Sequence, residues 1–139
     1  MRYGTDMPHI FRVIVPVGDI DAAARFYAAV LGAAGRRVSP GRHYFDCEGT
    51  ILACVDPMAD GDGYTARPNP EPLYMAVADL NATWAACRAA GARFAAGAPP
   101  GVGPLGQIAD RPWGERSFYI ADPFGNPVCF VSRETVFTG

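Results

Sequence analysis

Apolar residues along this chain switch between two periods. From Ile20 to about Leu31, the residues Ile20, Ala23, Tyr27, Val30 and Leu31 fall on one stripe of a helix. Asp19 stands just before it, where a carboxylate accepts an orphan N–H and meets the positive end of the helix dipole. Gly32 stands just after it and supplies a left-handed stop. The same signals return from Leu80 to about Ala90. There Leu80, Thr83, Trp84 and Cys87 share a face, Asp79 is the N-cap and Gly91 ends the helix. At that spacing Trp84 is expected to pack in the core. Shorter runs read as strands. They cover Ile10 to Val17, Arg36 to Ser39, Arg42 to Cys47 and Thr50 to Asp56 around the first helix. Around the second they cover Pro72 to Val77, Arg93 to Ala95, Glu115 to Ala121 and Pro127 to Ser132. Glu48-Gly49 predicts a tight hairpin, and Asp122-Pro123-Phe124-Gly125-Asn126 a turn before the last strand.

Each half therefore reads as β-α-β-β-β, and the chain repeats itself. Val17-Gly18-Asp19-Ile20-Asp21-Ala22 returns 60 residues later as Val77-Ala78-Asp79-Leu80-Asn81-Ala82. The 139 residues suit one domain. A first module is expected over about 8–56, a linker over about 57–70 and a second module over about 71–133. A second loop, Gly97 to Gly106, carries three prolines and four glycines. Long loops on compact domains often cover a site, though a solvated connector is as good a reading for 57–70.

Composition narrows the chemistry. Half of the residues are hydrophobic and 19% are charged, enough to build a core and too little charge for a disordered tail. Twelve basic residues against fourteen acidic ones leave a net charge of -2. That gives no cationic surplus for nucleic acid or an anionic membrane. Every basic residue is Arg, so chemistry that needs a lysine amine is excluded. Cys47, Cys54, Cys87 and Cys129 show no C-x-x-C spacing. The first three are expected as small core residues. No secretory signal and no apolar run of membrane-spanning length stands out, so a cytoplasmic protein is expected. The two histidines are His9 and His43. On a strand His43 shares a face with Phe45 and Cys47, while Tyr44, Asp46 and Glu48 share the other. The histidine and the carboxylates therefore diverge, and His43 is expected to be solvated or hydrogen-bonded rather than metal-bound.

The two βαβββ halves, each entered through Val-x-Asp-[Ile/Leu], resemble the vicinal oxygen chelate superfamily. This is the group of glyoxalases, bleomycin-resistance proteins and extradiol dioxygenases. The resemblance runs from about Ile10 to Ser132. Its markers are Val17-Gly18-Asp19-Ile20, Phe26-Tyr27 with Val30-Leu31-Gly32, Pro112-Trp113-Gly114, and Asp122-Pro123-Phe124-Gly125-Asn126-Pro127. It implies an α+β fold: two tandem βαβββ modules forming a curled mixed sheet with a central cleft. It also implies, for the enzymes of the group, a divalent metal held by His, Gln or Glu on the cleft floor, acting as a Lewis acid. Carried onto this chain, the ligand positions fall on Arg12, Pro72 with Glu71 beside it, Ala53 with Cys54 beside it, and Cys129. A permanent cation, two side chains without donors and one thiol do not make such a site. No metal and no cofactor is therefore expected.

What the resemblance then implies is a metal-independent protein that binds a small molecule, anionic or aromatic, as a homodimer. The alternative is a metal-dependent lyase, isomerase or dioxygenase of the same superfamily, and a third reading is an accessory protein without a ligand. The cavity candidates are Arg12, Tyr44, Tyr74, Trp113, Arg116, Phe118 and Cys129, with Phe45, Tyr119 and Phe130 as further aromatics. Arg12 either meets an anionic ligand or pairs internally with Glu115 or Asp46. Trp113 borders the groove or anchors its loop. Arg116 guides an acidic group or sits in solvent. Cys129, if it faces Arg12, would have a lowered pKa and become nucleophilic.

Overall fold

The computed structural model describes residues 6–139, so residues 1–5 of the expected domain lie outside the described part. The first half runs β1 (Arg12–Pro16), α1 (Ile20–Leu31), β2 (Arg36–Ser39), β3 (Arg42–Cys47) and β4 (Thr50–Val55). The second runs β5 (Leu73–Val77), α2 (Leu80–Ala89), β6 (Arg93–Phe94), β7 (Ala109–Asp110), β8 (Arg116–Ala121) and β9 (Pro127–Ser132), followed by a short 3-10 turn at Arg133–Thr135. The expected α+β architecture is present, as two mixed sheets that do not close on one another. The two-residue strand β7, between the second long loop and β8, is not among the expected strands; nothing in its two residues distinguishes it from the segment around it.

The helix limits follow from local chemistry. Asp19 accepts from the Ala22 N–H and Asp79 from the Ala82 N–H, each at 3.0 Å. Gly32 ends α1 with φ of 72°, a conformation that costs glycine little and other residues more. The β3–β4 hairpin turns on Glu48 and Gly49, both with positive φ, the two-residue form that suits the natural twist of a hairpin.

The first sheet has the order β1-β4-β3-β2, the second β5-β9-β8-β6, with β7 beside β8. Each has one parallel pair, β1 with β4 and β5 with β9. One face of each sheet packs on the helices. On that face stand rows such as Val13–Leu52–Phe45 and Met75–Phe130–Phe118, and these merge with Ile20, Tyr27, Leu80 and Cys87 into one core. No helix covers the other face of either sheet, and on the second sheet Arg111 lies over part of it, against Ser117 and Tyr119.

A buried polar network joins the halves. The Tyr27 hydroxyl on α1 donates to Asp122 Oδ2 at 2.6 Å. Asp122 also accepts from the Phe124 and Asn126 backbone N–H groups and from Asn126 Nδ2. Asn126 Nδ2 then donates to the Pro16 carbonyl at 2.6 Å, on the outer edge of β1. Asn69 donates to the neighbouring Ile14 carbonyl and, through its backbone N–H, to Asn126 Oδ1. The Asp122–Asn126 turn is thus the clasp that fixes one half on the other. No helix among the described residues is long and apolar enough to cross a membrane.

Candidate functional site

Strand alternation decides which side chains stand on the open faces. On the first sheet one row is Arg12–Ile51–Asp46, the next Ile14–Ala53–Tyr44–Arg36, and the third Pro16–Val55–Arg42. Tyr44 is held between two guanidinium groups. Arg42 Nη1 donates to its hydroxyl at 2.9 Å, and Arg12 Cζ lies 5.8 Å from its ring centroid. Arg12 also lies over Phe11 at 4.9 Å. Arg42 is steadied by Asp60 at 3.8 Å. Among the described residues neither Arg12 nor Arg36 has a carboxylate partner, so the expected pairing of Arg12 with Glu115 or Asp46 does not form. The face is a shallow cationic patch with an aromatic ring at its centre.

On the second sheet the corresponding rows are Tyr74–Cys129–Tyr119 and Ala76–Val131–Ser117. Tyr74 and Tyr119 meet edge to face at 6.3 Å. Beside them lies a cavity of about 410 Å³ lined by Tyr74, Trp113, Glu115, Val131, Val136 and Phe137. Glu115 is fixed there by two donors, Trp113 Nε1 at 2.9 Å and the Phe137 N–H at 2.9 Å. Trp113 thus both anchors its loop and borders the cavity. Burial pushes the Tyr119 hydroxyl above its ordinary value, and its bonds to Tyr74 and Cys129 add to that.

Three sequence expectations are corrected here. Phe118 is fully buried and stacks between Phe94 and Phe130 on the helix side, so it lines no open face; Phe45 and Phe130 lie in the core with it. Arg116 shares the parity of Phe118 and pairs with Asp110 at 3.1 Å, away from the cup. Cys129 faces the cup but is fully buried. Burial raises its thiol to about 11, more than its hydrogen bonds to Tyr119 and Ser117 lower it. It is a protonated packing group, not an activated nucleophile. His43 is buried, with Nε2 2.9 Å from the Ala34 carbonyl and Nδ1 accepting from Arg37 Nε at 3.4 Å.

Sequence reasoning passed over Arg111. Only 3% exposed, it donates to the carbonyls of Val102, Pro104, Leu105, Gln107 and Ser117 and to Ser117 Oγ. Trp84 Nε1 adds a bond to the Gly106 carbonyl at 3.1 Å. The second long loop is therefore tied to the rim of the second sheet. Its anchor had no sequence signature, because its partners are main-chain oxygens.

A family model for the glyoxalase/bleomycin resistance protein/dioxygenase superfamily matches residues 8–130. The chain belongs to that superfamily. Among solved structures, a glyoxalase/bleomycin resistance protein from Albidiferax ferrireducens is similar with a TM-score of 0.69 and 23% identity, over 88% of this chain and 96% of that one. A glyoxalase-related enzyme from Fulvimarina pelagi gives 0.71 and 21%, over 96% and 94%. A lactoylglutathione lyase from Agrobacterium tumefaciens gives 0.64 and 19%, over 92% and 96%. At these identities the likeness is one of fold. No curated protein matches the chain.

Enzymes of the glyoxalase superfamily use a metal, so the donor set here can be tested against one. Arg12 carries a permanent positive charge, Ala53 and Pro72 offer no donor atom, and the Cys129 thiol is held protonated. Among the described residues no three His, Cys, Asp or Glu side chains converge. These residues do not fit a divalent metal.

Proposed function

We propose that this member of the glyoxalase superfamily is a metal-independent small-molecule binding protein. Its ligand is a planar anion, such as an aromatic carboxylate, seated on the open face of the first sheet. The observation that carries the reading is Tyr44 set between Arg12 and Arg42, with Arg36 across the row. A ring stacks on the tyrosine or on an arginine plane, and a carboxylate takes two guanidinium N–H groups. The remaining wall is supplied by a second copy, the second sheet of one protomer facing the first sheet of its partner. Exposed Ile10, Phe11, Ile14 and Val38 on one side, and Tyr74, Trp113, Val136 and Phe137 on the other, are the apolar surfaces that would be covered. The four cysteines are unpaired, which suits a reducing compartment such as the cytoplasm.

Titration with 2-naphthoate, 2-naphthol and 2-naphthylamine, followed by calorimetry, tests the site. The carboxylate should bind best, and Arg12→Gln should weaken it about tenfold or more, the worth of a charge-assisted hydrogen bond. Equal binding of the naphthol, or no effect of Arg12→Gln, would remove the reading. Metal analysis of protein purified without chelator is the second arm. A stoichiometric divalent ion, lost together with an activity, would turn the assignment back to an enzyme. Sedimentation should show a dimer, dissociated by Ile14→Glu.

A further inference from the structure

Glu115 is a buried acid without a cation. It stands one residue before β8 and shares the parity of Ser117 and Tyr119, so its side chain rises on the face that no helix covers. It is only 9% exposed. Oε1 accepts from Trp113 Nε1 and Oε2 from the Phe137 backbone N–H, each at 2.9 Å. Both donors are neutral, and a carboxylate has about four acceptor sites. Arg111 is its neighbour across the strands, and its backbone N–H donates to the Glu115 carbonyl. The Arg111 guanidinium, however, runs to Ser117 and spends its N–H groups there and on the loop carbonyls. Among the described residues no cation lies within ion-pair distance of the Glu115 carboxylate. Holding a carboxylate away from water without a positive partner is costly, and two neutral donors recover only part of the loss.

The surroundings say what kind of partner would fit. Glu115 lines the cavity of about 410 Å³, and both groups that donate to it line the same cavity. That volume lies within the range of small-molecule sites. Tyr74, Trp113 and Phe137 bring three aromatic rings to it, all partly open to solvent, and buried Val131 adds an apolar wall. A ring face carries negative charge, so rings and carboxylate favour the same sign of ligand. An anion would meet Glu115 unfavourably, and a neutral apolar molecule would leave its charge unpaired. A primary ammonium needs several acceptors for its N–H groups, and these walls offer mainly one carboxylate. An alkylated ammonium needs fewer, and its methyl groups pack on rings.

We propose that this cavity is a second binding site, for a compact alkylammonium cation of the trimethylammonium type. The cation lies against the rings of Tyr74, Trp113 and Phe137, with Glu115 as its counter-ion. All of these groups come from one chain, so the site rests neither on the anion site of the first sheet nor on the dimer. Its charge preference is opposite to that of the first sheet, and the two sites answer to different probes. A guanidinium from a second copy has related chemistry, and the test separates the two.

The full chain is titrated with choline and with dimethylbutanol, its neutral carbon isostere. NMR follows the Trp113 indole N–H and the Phe137 amide, the two donors to Glu115. Choline should shift both saturably, with half-saturation at about 1 mM. The Trp84 indole, bonded to the Gly106 carbonyl, should stay still. Dimethylbutanol should bind about tenfold or more weakly, and Glu115→Gln should weaken choline to a similar degree. Phe137→Ala keeps the backbone N–H, and Tyr74→Leu touches no bond of Glu115. Each removes one ring and should weaken choline about three- to fivefold. Arg12→Gln should leave choline binding unchanged. The proposal is overturned if no saturable shift appears by about 20 mM, well above the expected affinity. It is equally overturned if dimethylbutanol binds as well, if the two ring variants bind as wild type, or if Arg12→Gln abolishes binding. Choline binding that appears only in Ile14→Glu would overturn it too, and would give the cavity to an arginine of a second copy.

Discussion

Cys54, Cys87 and Cys129 are fully buried, and burial is the main cause that raises their thiols, the first two to about 12 and the third to about 11, from an ordinary value near 9.0. In the unfolded chain these thiols ionise near 9.0, whereas in the fold they keep their protons. Above that pH the unfolded state binds fewer protons than the native state, so stability falls as pH rises from about 9 towards about 12. Below it the three thiols contribute no slope. Urea midpoints measured through this window should fall, and replacing Cys54 and Cys87 by Ala should flatten the fall; an unchanged profile would show that the thiols are not its source. Two aromatics that the sequence reads alike stand on different faces for one reason. Tyr74 and Phe118 both read as cleft aromatics, but the parity of a strand places alternate residues on opposite faces, and composition does not reveal which face is closed by a helix.

At the scale of elements, the helix limits and hairpins were legible because their signals are local: Asp19 and Gly32 bracket α1, and Glu48-Gly49 turns β3 into β4. The loop from Gly97 to Gly106 was legible only as a loop. Its order comes from Arg111, a buried cation satisfied by carbonyl oxygens gathered from five residues. Arg111→Lys keeps the charge but loses the planar fork that reaches several carbonyls at once. Hydrogen exchange at Val102, Leu105 and Gln107 should then quicken well beyond that of β8 and β9. Uniform acceleration across the second sheet would mean that the arginine supports the sheet rather than the loop.

At the scale of the molecule, the centre of the junction between the halves is a small set of polar side chains, Tyr27, Asp122 and Asn126, that are buried and satisfied. Asn126→Ala leaves the Pro16 carbonyl and Asp122 each short of a donor, at a cost of about 2–4 kcal/mol, readable from urea unfolding. Asn126→Asp should cost more at neutral pH, because it sets a second carboxylate against Asp122, and should recover as pH falls. A variant as stable as wild type would show that apolar packing alone joins the halves. The repeat made the duplication visible, but the asymmetry between its halves is visible only by subtraction, in Ala86 and Cys87 standing where Phe26 and Tyr27 stand 60 residues earlier.

The clasp also sets an order of events while the chain is being made. Tyr27 meets Asp122 across 95 residues and Pro16 meets Asn126 across 110. Translation at about 5–20 residues per second delivers those partners several seconds after the first helix has emerged. Until then the edge of β1 keeps bare carbonyls, and the Tyr27 hydroxyl has no acid to bind. The amino-terminal half therefore cannot be completed as it leaves the ribosome. It waits for the turn before the last strand, and a pause in synthesis between β5 and β9 would prolong the time for which that edge is open to other strands.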